Sequence, residues 1–175
     1  GFSGYSGFCG LGYDNLFSAK MTLQEFISKY NNQKIDFDGS FGAQCVDLYR
    51  FYLQEVLNTP QTPGVVGAYQ IFDNAPDPAF LKIKNTPAGI PQKGDIMIWG
   101  QKYAPYGHVG IVNEANMLKF KAFEQHDPIG YPCQIKEYSY KGVIGWLRFK
   151  QLVPISPQIV EIKKIEGTEL IIKIT

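Results

Sequence analysis

Sulfur and imidazole are scarce in this sequence. Cysteine occurs three times, at 9, 45 and 133, and histidine twice, at 108 and 126. An odd number of cysteines leaves at least one thiol unpaired within the chain, which argues against a disulfide-stapled secreted scaffold. No CxxC or HxxxH pair occurs, so the ligand spacing of a structural zinc site is missing. An excess of either charge is missing too. Seventeen basic residues face 16 acidic ones, for a net charge of +1, which leaves no electrostatic footprint for nucleic acid. No apolar run reaches the roughly 20 residues of a membrane-spanning helix, so no membrane insertion is expected. The opening GFSGYSGFCG has neither the basic nor the apolar region of a secretory leader. It does not start with Met, and the chain is expected to be part of a longer one. What the sequence does have is apolar material: 45% hydrophobic and 14% aromatic residues over 175 positions. That is enough for one domain with a true core.

The chain divides into three by composition. Residues 1–20 begin with a glycine every third position, a repeat or linker remnant. Residues 21–150 carry the periodic patterns of a folded domain. Residues 151–175 read as a linker and a C-terminal hairpin around Glu166-Gly167. Within the domain, MTLQEFISKYNN predicts a first helix. Thr22 and Glu25 form a capping box, and Leu23, Phe26, Ile27 and Tyr30 share one face. A second helix is predicted over residues 44–57, and a short third one in GAYQIFDNA. From Phe80 the period changes to two. FLKIK, DIMIW, HVGIV, LKFKAFE, QIKEYSY and VIGWLRF read as strands, with Asp95 a turn residue opening the second of them. Helices first and antiparallel strands after predict an α+β domain.

Cys45 stands in GAQCVDLYRFYL, at the first turn of the second predicted helix. Unpaired N–H groups and the helix dipole favour an anion there, and the thiolate is the nucleophilic form of cysteine. An inert packed thiol would suit the position equally. The decision therefore rests on what can reach it. His108 opens the strand HVGIV after the turn APYG, and an imidazole at a strand mouth can approach a helix N-terminus and take the thiol proton. Glu124 ends the next strand, where antiparallel pairing brings it near His108, and a carboxylate there would fix the ring's tautomer. His126, in FEQHDP, reads as a polar turn residue. Tyr103 and Tyr106, in the loop before His108, are the aromatic residues best placed to line a groove. Trp146 reads as packing.

GAQCVDLYRFYL, KGDIMIWG, GHVGIV, FEQH and VIGWLRF, in that order, resemble the CHAP domain. This is the cysteine- and histidine-dependent amidohydrolase/peptidase family, related to the papain-like NlpC/P60 fold. The resemblance implies N-terminal helices packed on an antiparallel sheet of about six strands. It implies Cys45 as nucleophile, His108 as base and Glu124 as the orienting acid. The backbone N–H of Cys45 would form part of an oxyanion hole, and Gln44 beside it joins Tyr103 and Tyr106 as a candidate substrate contact. Many members show E-Q-N after the histidine strand. Here His126 holds the asparagine's place, so no role is carried over to it.

IDFDGSFGAQC alternates oxygen-bearing residues as a calcium loop does, although it lacks the bidentate glutamate of an EF-hand. The resemblance to phage-lysin CHAP domains implies a structural Ca²⁺. The side chains of Asp36, Asp38 and Asp47 and the backbone carbonyls of Ser40 and Gly42 would hold it. No organic cofactor is implied. The expected function is cleavage of an amide bond in bacterial peptidoglycan, by a phage virion component or a released lysin. Two other classes stay open: a calcium-stabilised wall-binding module without catalysis, and a structural piece of a virion.

Overall fold

Thr22 starts the first helix. Its hydroxyl accepts the Glu25 N–H at 3.2 Å, while the Glu25 carboxylate accepts the Thr22 N–H at 2.7 Å. This closes the box expected from the sequence and satisfies two of the orphan donors of a helix start. The helix, α1, spans Leu23–Tyr30 and buries Phe26, Ile27 and Tyr30. The computed structural model describes residues 21–150. The glycine-punctuated segment before them and the C-terminal hairpin after them lie outside the described residues.

The second helix, α2, spans Cys45–Tyr52. The expected continuation to residue 57 is helical but wider, a π-turn over Leu53–Leu57. It ends at Asn58, which takes the left-handed conformation (φ 46°, ψ 51°), one that asparagine tolerates better than most residues. The third predicted helix divides into a 3₁₀ turn, Ala68–Gln70, and a single α-turn, α3, Ile71–Asn74. Six strands follow, β1 Phe80–Lys84, β2 Ile96–Trp99, β3 His108–Ala115, β4 Lys119–Glu124, β5 Gln134–Ser139 and β6 Val143–Phe149. They form one sheet in the order β1-β6-β2-β3-β4-β5, and every neighbouring pair is antiparallel. The α+β expectation is borne out.

Alternation along the strands splits the apolar residues between two layers. Ile96, Ile98, Val109, Ile111, Phe123 and Leu147 meet Phe26, Leu48, Tyr49 and Tyr52 from the helices. Met97, Trp99, Val112, Phe120, Tyr138 and Trp146 form a second cluster. Each such side chain contributes roughly 1.5–3 kcal/mol by leaving water. Strand β2 is buried at all four positions, which is why IMIW reads as a continuous apolar run rather than an alternating one. Asp95 just before it is buried, accepts the Gln92 N–H at 2.7 Å, and is gripped by Arg148 of β6 at 3.0 and 2.7 Å. It is a structural turn residue that ties two adjacent strands together.

Gly107 sets where β3 begins. Its φ is +67°, and a Cβ there would lie 2.4 Å from the Trp99 carbonyl oxygen and 2.8 Å from the Tyr69 nitrogen. Both obstacles are backbone atoms, which cannot swing aside. Replacing Gly107 by Ala is therefore expected to cost about 2–4 kcal/mol of stability, from strain and clash together. Denaturant unfolding measures this, and a loss below about 0.5 kcal/mol would show that the turn is not so confined.

Candidate active site

Three elements end at one place. Cys45 is the first residue of α2, His108 the first of β3 and Glu124 the last of β4. Helix α2 lies against β3, which brings the half-buried thiol to the strand mouth. The N–H of Gln44, just before the thiol, is held by the Asp47 carboxylate at 2.7 Å, so the start of the helix is anchored by its own first turn. Antiparallel pairing of β3 with β4 sets Ile111 opposite Phe123 and so draws the ends carrying His108 and Glu124 together. Gly110 keeps room for the carboxylate, since a Cβ there would sit 3.1 Å from the Glu124 Cβ.

His108 Nε2 lies 3.3 Å from Glu124 Oε2, and the ring also makes a side-chain contact with Cys45. Nε2 faces the carboxylate, so Nδ1 is the nitrogen left for sulfur. At 3.3 Å the ion pair is longer than an aligned charge-assisted hydrogen bond, and neither Glu124 oxygen has a hydrogen-bond donor among the described residues. Glu124 is completely buried. A carboxylate in that position depends on a positive neighbour for compensation. Burial alone would lower the His108 pKa. The contacts with Cys45 and Glu124 outweigh it and raise the value from 6.5 to about 9. The site thus favours a protonated ring, a positive charge of the kind that can stabilise a thiolate next to it.

Aromatic rings hold the imidazole from the sides. Trp99, Tyr103 and Tyr138 have ring centroids 5.0, 6.1 and 6.3 Å from it. The Tyr103 hydroxyl donates to Asp127 Oδ2 at 2.6 Å, and Tyr138 and Lys136 reach the same oxygen at 3.0 and 3.1 Å. Burial would raise the Asp127 pKa, but these donors and the nearby His108 hold it below the usual carboxylate value. Asp127 thereby fastens the loop carrying Tyr103 to β5. Sequence reading missed it, because Asp-Pro in FEQHDP carries only the signal of a turn.

The thiol and imidazole open on a cleft of about 770 Å³, and Gln44, Tyr103 and Tyr106 all line it. Trp146 is buried in the second cluster, as expected of a packing residue. The cleft's edge is apolar and unusually exposed: Phe41 at 93%, Ile129 at 86%, Val66 at 78% and Tyr106 at 67%. His126 also lines the cleft. Its backbone is left-handed (φ 74°) and its Nδ1 accepts the Gly130 N–H at 3.1 Å, a turn-stabilising bond consistent with the polar-turn reading.

Beside the cleft, ligand oxygens of Asp36, Asp38 and Asp47 lie within 4.8 Å of one another. Asp36 and Asp38 each accept one loop N–H, from Gly39 at 2.7 Å and Ser40 at 2.9 Å. Asp47 accepts two, from Phe37 and Gln44. Burial raises the Asp47 pKa, those two donors oppose the rise, and the charges of Asp36 and Asp38 add to it. An all-oxygen set of three mutually repelling carboxylates fits a hard divalent cation. Ser40 and Gly42 follow in the same bend, with Gly42 at φ +71°.

The family model of the CHAP domain matches residues 34–126, over half of the chain. The chain belongs to the CHAP domain family. The matched span includes Cys45, His108 and Glu124 as well as the acidic loop. Endolysin PlyTW of Staphylococcus phage Twort is 32% identical over 97 residues, covering 51% of this chain and 19% of that protein. The chain therefore spans about a fifth of the length of that curated relative. The crystal structure of a wild-type endolysin, LysIME-EF1, superposes with a TM-score of 0.60 at 29% identity, covering 73% of this chain and 63% of that one.

The raised His108 pKa makes this CHAP domain's stability depend on pH. A group whose folded pKa lies above its unfolded value stabilises fully below the unfolded value, here 6.5, and loses that contribution as pH rises through about 9. Thermal melts of the parent chain and of His108→Ala should differ most below about pH 6.5 and less above about pH 9, where only the packing lost with the buried ring remains. A gap that stays constant or widens in alkali would mean that the ring is not held protonated.

Proposed function

We propose that this chain is the wall-cleaving domain of a phage lysin, a thiol-dependent peptidoglycan hydrolase that cuts an amide bond. The observation that carries this reading is a half-buried thiol at a helix start, touching a buried imidazole that is paired with a buried carboxylate, at the floor of an open cleft. Family membership and two endolysin relatives support the same reaction class. The bond is either N-acetylmuramoyl–L-alanine or a peptide link in the cross-bridge, and the chemistry is the same for both.

The Cys45 thiolate attacks the amide carbonyl carbon, and the carbonyl π electrons move onto oxygen. First-turn N–H groups of α2, that of Cys45 among them, face the developing oxyanion. The imidazolium of His108 gives its proton to the leaving nitrogen as the C–N bond breaks, leaving a thioester and a free amine. Water then attacks the thioester, with neutral His108 taking its proton. The C–S bond breaks, the acid departs and the thiolate–imidazolium pair is restored. Glu124 holds the ring's orientation and offsets its charge throughout. Tyr103, Tyr106 and Gln44 contact the substrate along the cleft. Replacing Cys45 by Ala should reduce turbidity clearing of purified walls by at least about a thousandfold with the fold intact by circular dichroism. Clearing at the parental rate would end the enzyme reading.

A structural Ca²⁺ fits beside this machinery, with Asp36, Asp38 and Asp47 as carboxylate ligands and the Ser40 and Gly42 carbonyls completing the set. When bound it would neutralise the acidic loop and stiffen the segment leading into Cys45. Chelation by EDTA should lower the melting temperature by several degrees and Ca²⁺ should restore it. Asp36→Ala should melt at the chelated value whether or not Ca²⁺ is added. No shift with EDTA would remove the metal.

A further inference from the structure

Gln125 follows Glu124 and is completely buried, an unusual place for a glutamine. Its amide uses every hydrogen-bonding capacity it has. Oε1 accepts the Ile35 N–H at 2.8 Å and the Cys133 thiol at 3.2 Å. Nε2 donates to the Ile35 carbonyl at 2.9 Å and to the Gln44 carbonyl at 2.7 Å. The partners fix the amide's orientation, since the reverse would set its NH₂ against an N–H and its oxygen against two carbonyls.

The positions of those partners matter. Ile35 and Gln44 are the two ends of the acidic loop, and Gln44 is bonded covalently to Cys45. One side chain therefore closes the neck of the loop and holds its outgoing end, while its own backbone continues directly from Glu124. Cys133 adds a second tie, exchanging backbone bonds of 2.8 Å with Asn32 and Gln33 just upstream. The segment leading to the nucleophile has no strand pairing to position it. The sheet that carries the imidazole and its carboxylate reaches it through these bonds.

We propose that Gln125 is a positioning residue of the reaction, one that sets the thiol of Cys45 in register with His108. It touches neither substrate nor the reacting atoms and acts through the Gln44 carbonyl. The inference rests on the thiol reading above. It extends that reading by naming what aligns two halves of a site drawn from distant parts of the chain. A misplacement of about 1 Å at a reacting group can cost on the order of a hundredfold in rate, so loosening this neck should act on turnover more than on binding.

The test compares the parent chain with Gln125→Leu, which keeps approximate size and removes all four bonds, and Gln125→Glu, which keeps the acceptor and loses both donations. The first readout is the pH dependence of iodoacetamide labelling at Cys45, followed by peptide mass mapping so that Cys9 and Cys133 are counted separately. The second is kcat and KM for wall clearing, taken well below each variant's melting temperature. The expected result is slower labelling of Cys45 across the pH range, and kcat reduced about tenfold or more with KM within about twofold. Where Gln125→Leu does not fold, Gln125→Glu should show the same slowing of labelling and the same loss of kcat. Variants that melt lower but keep the parental labelling profile and kcat would overturn the proposal, leaving Gln125 a purely structural residue. A parent chain with no acid-side labelling of Cys45 would overturn both this proposal and the thiol mechanism beneath it.

Discussion

The buried pairing of His108 with Glu124 is the constraint on which the rest of the site depends. A fully buried carboxylate with no hydrogen-bond donor among the described residues is costly unless a positive charge sits beside it. The imidazole supplies that charge, and the neighbouring sulfur is the third member of the arrangement. Desolvation strengthens the attraction among the three, because fewer water dipoles screen it. Burial works against the charged ring, and the contacts with Cys45 and Glu124 outweigh it.

Much of the surrounding fold can be understood as keeping that set in place. Strand pairing determines where His108 and Glu124 meet, and Gly107 lets the chain turn into β3 where any side chain would strike backbone. Trp99, Tyr103 and Tyr138 confine the ring, with Asp127 anchoring two of those three tyrosine and tryptophan neighbours through their hydroxyls. Cys45 belongs to a different layer. It arrives on a helix that packs against the sheet, after an acidic loop whose carboxylates repel one another. The matched segment makes up 19% of Endolysin PlyTW and 63% of the LysIME-EF1 chain.

Most strands were legible in the sequence because their period of two is local, and the continuous apolar run of β2 because turn residues bracket it as they do the others. The first helix was equally legible, because Thr22 and Glu25 mark its start by their own chemistry. The end of the second helix was not. A π-turn and an α-turn share nearly the same apolar pattern over five residues, and packing chooses between them. Cys45, His108 and Glu124 could be singled out by residue type, position at an element's end and motif order. Asp127 and Gln125 could not. The partners of Asp127 lie up to 24 residues away and those of Gln125 up to 90, and a polar residue in a turn gives no sign that it will be buried.

The sequence by itself therefore determined the classes of element, their order, a cysteine at a helix start, a histidine at a strand mouth, and an acidic loop before that cysteine. These follow from interactions between residues a few positions apart and from the chemistry of single side chains. Only the tertiary structure decided that the thiol meets the ring, that Glu124 is stripped of water, and that a buried glutamine closes the loop between them. Those outcomes depend on distances and dielectric surroundings that arise once helices and sheet are packed together, and no local pattern encodes them.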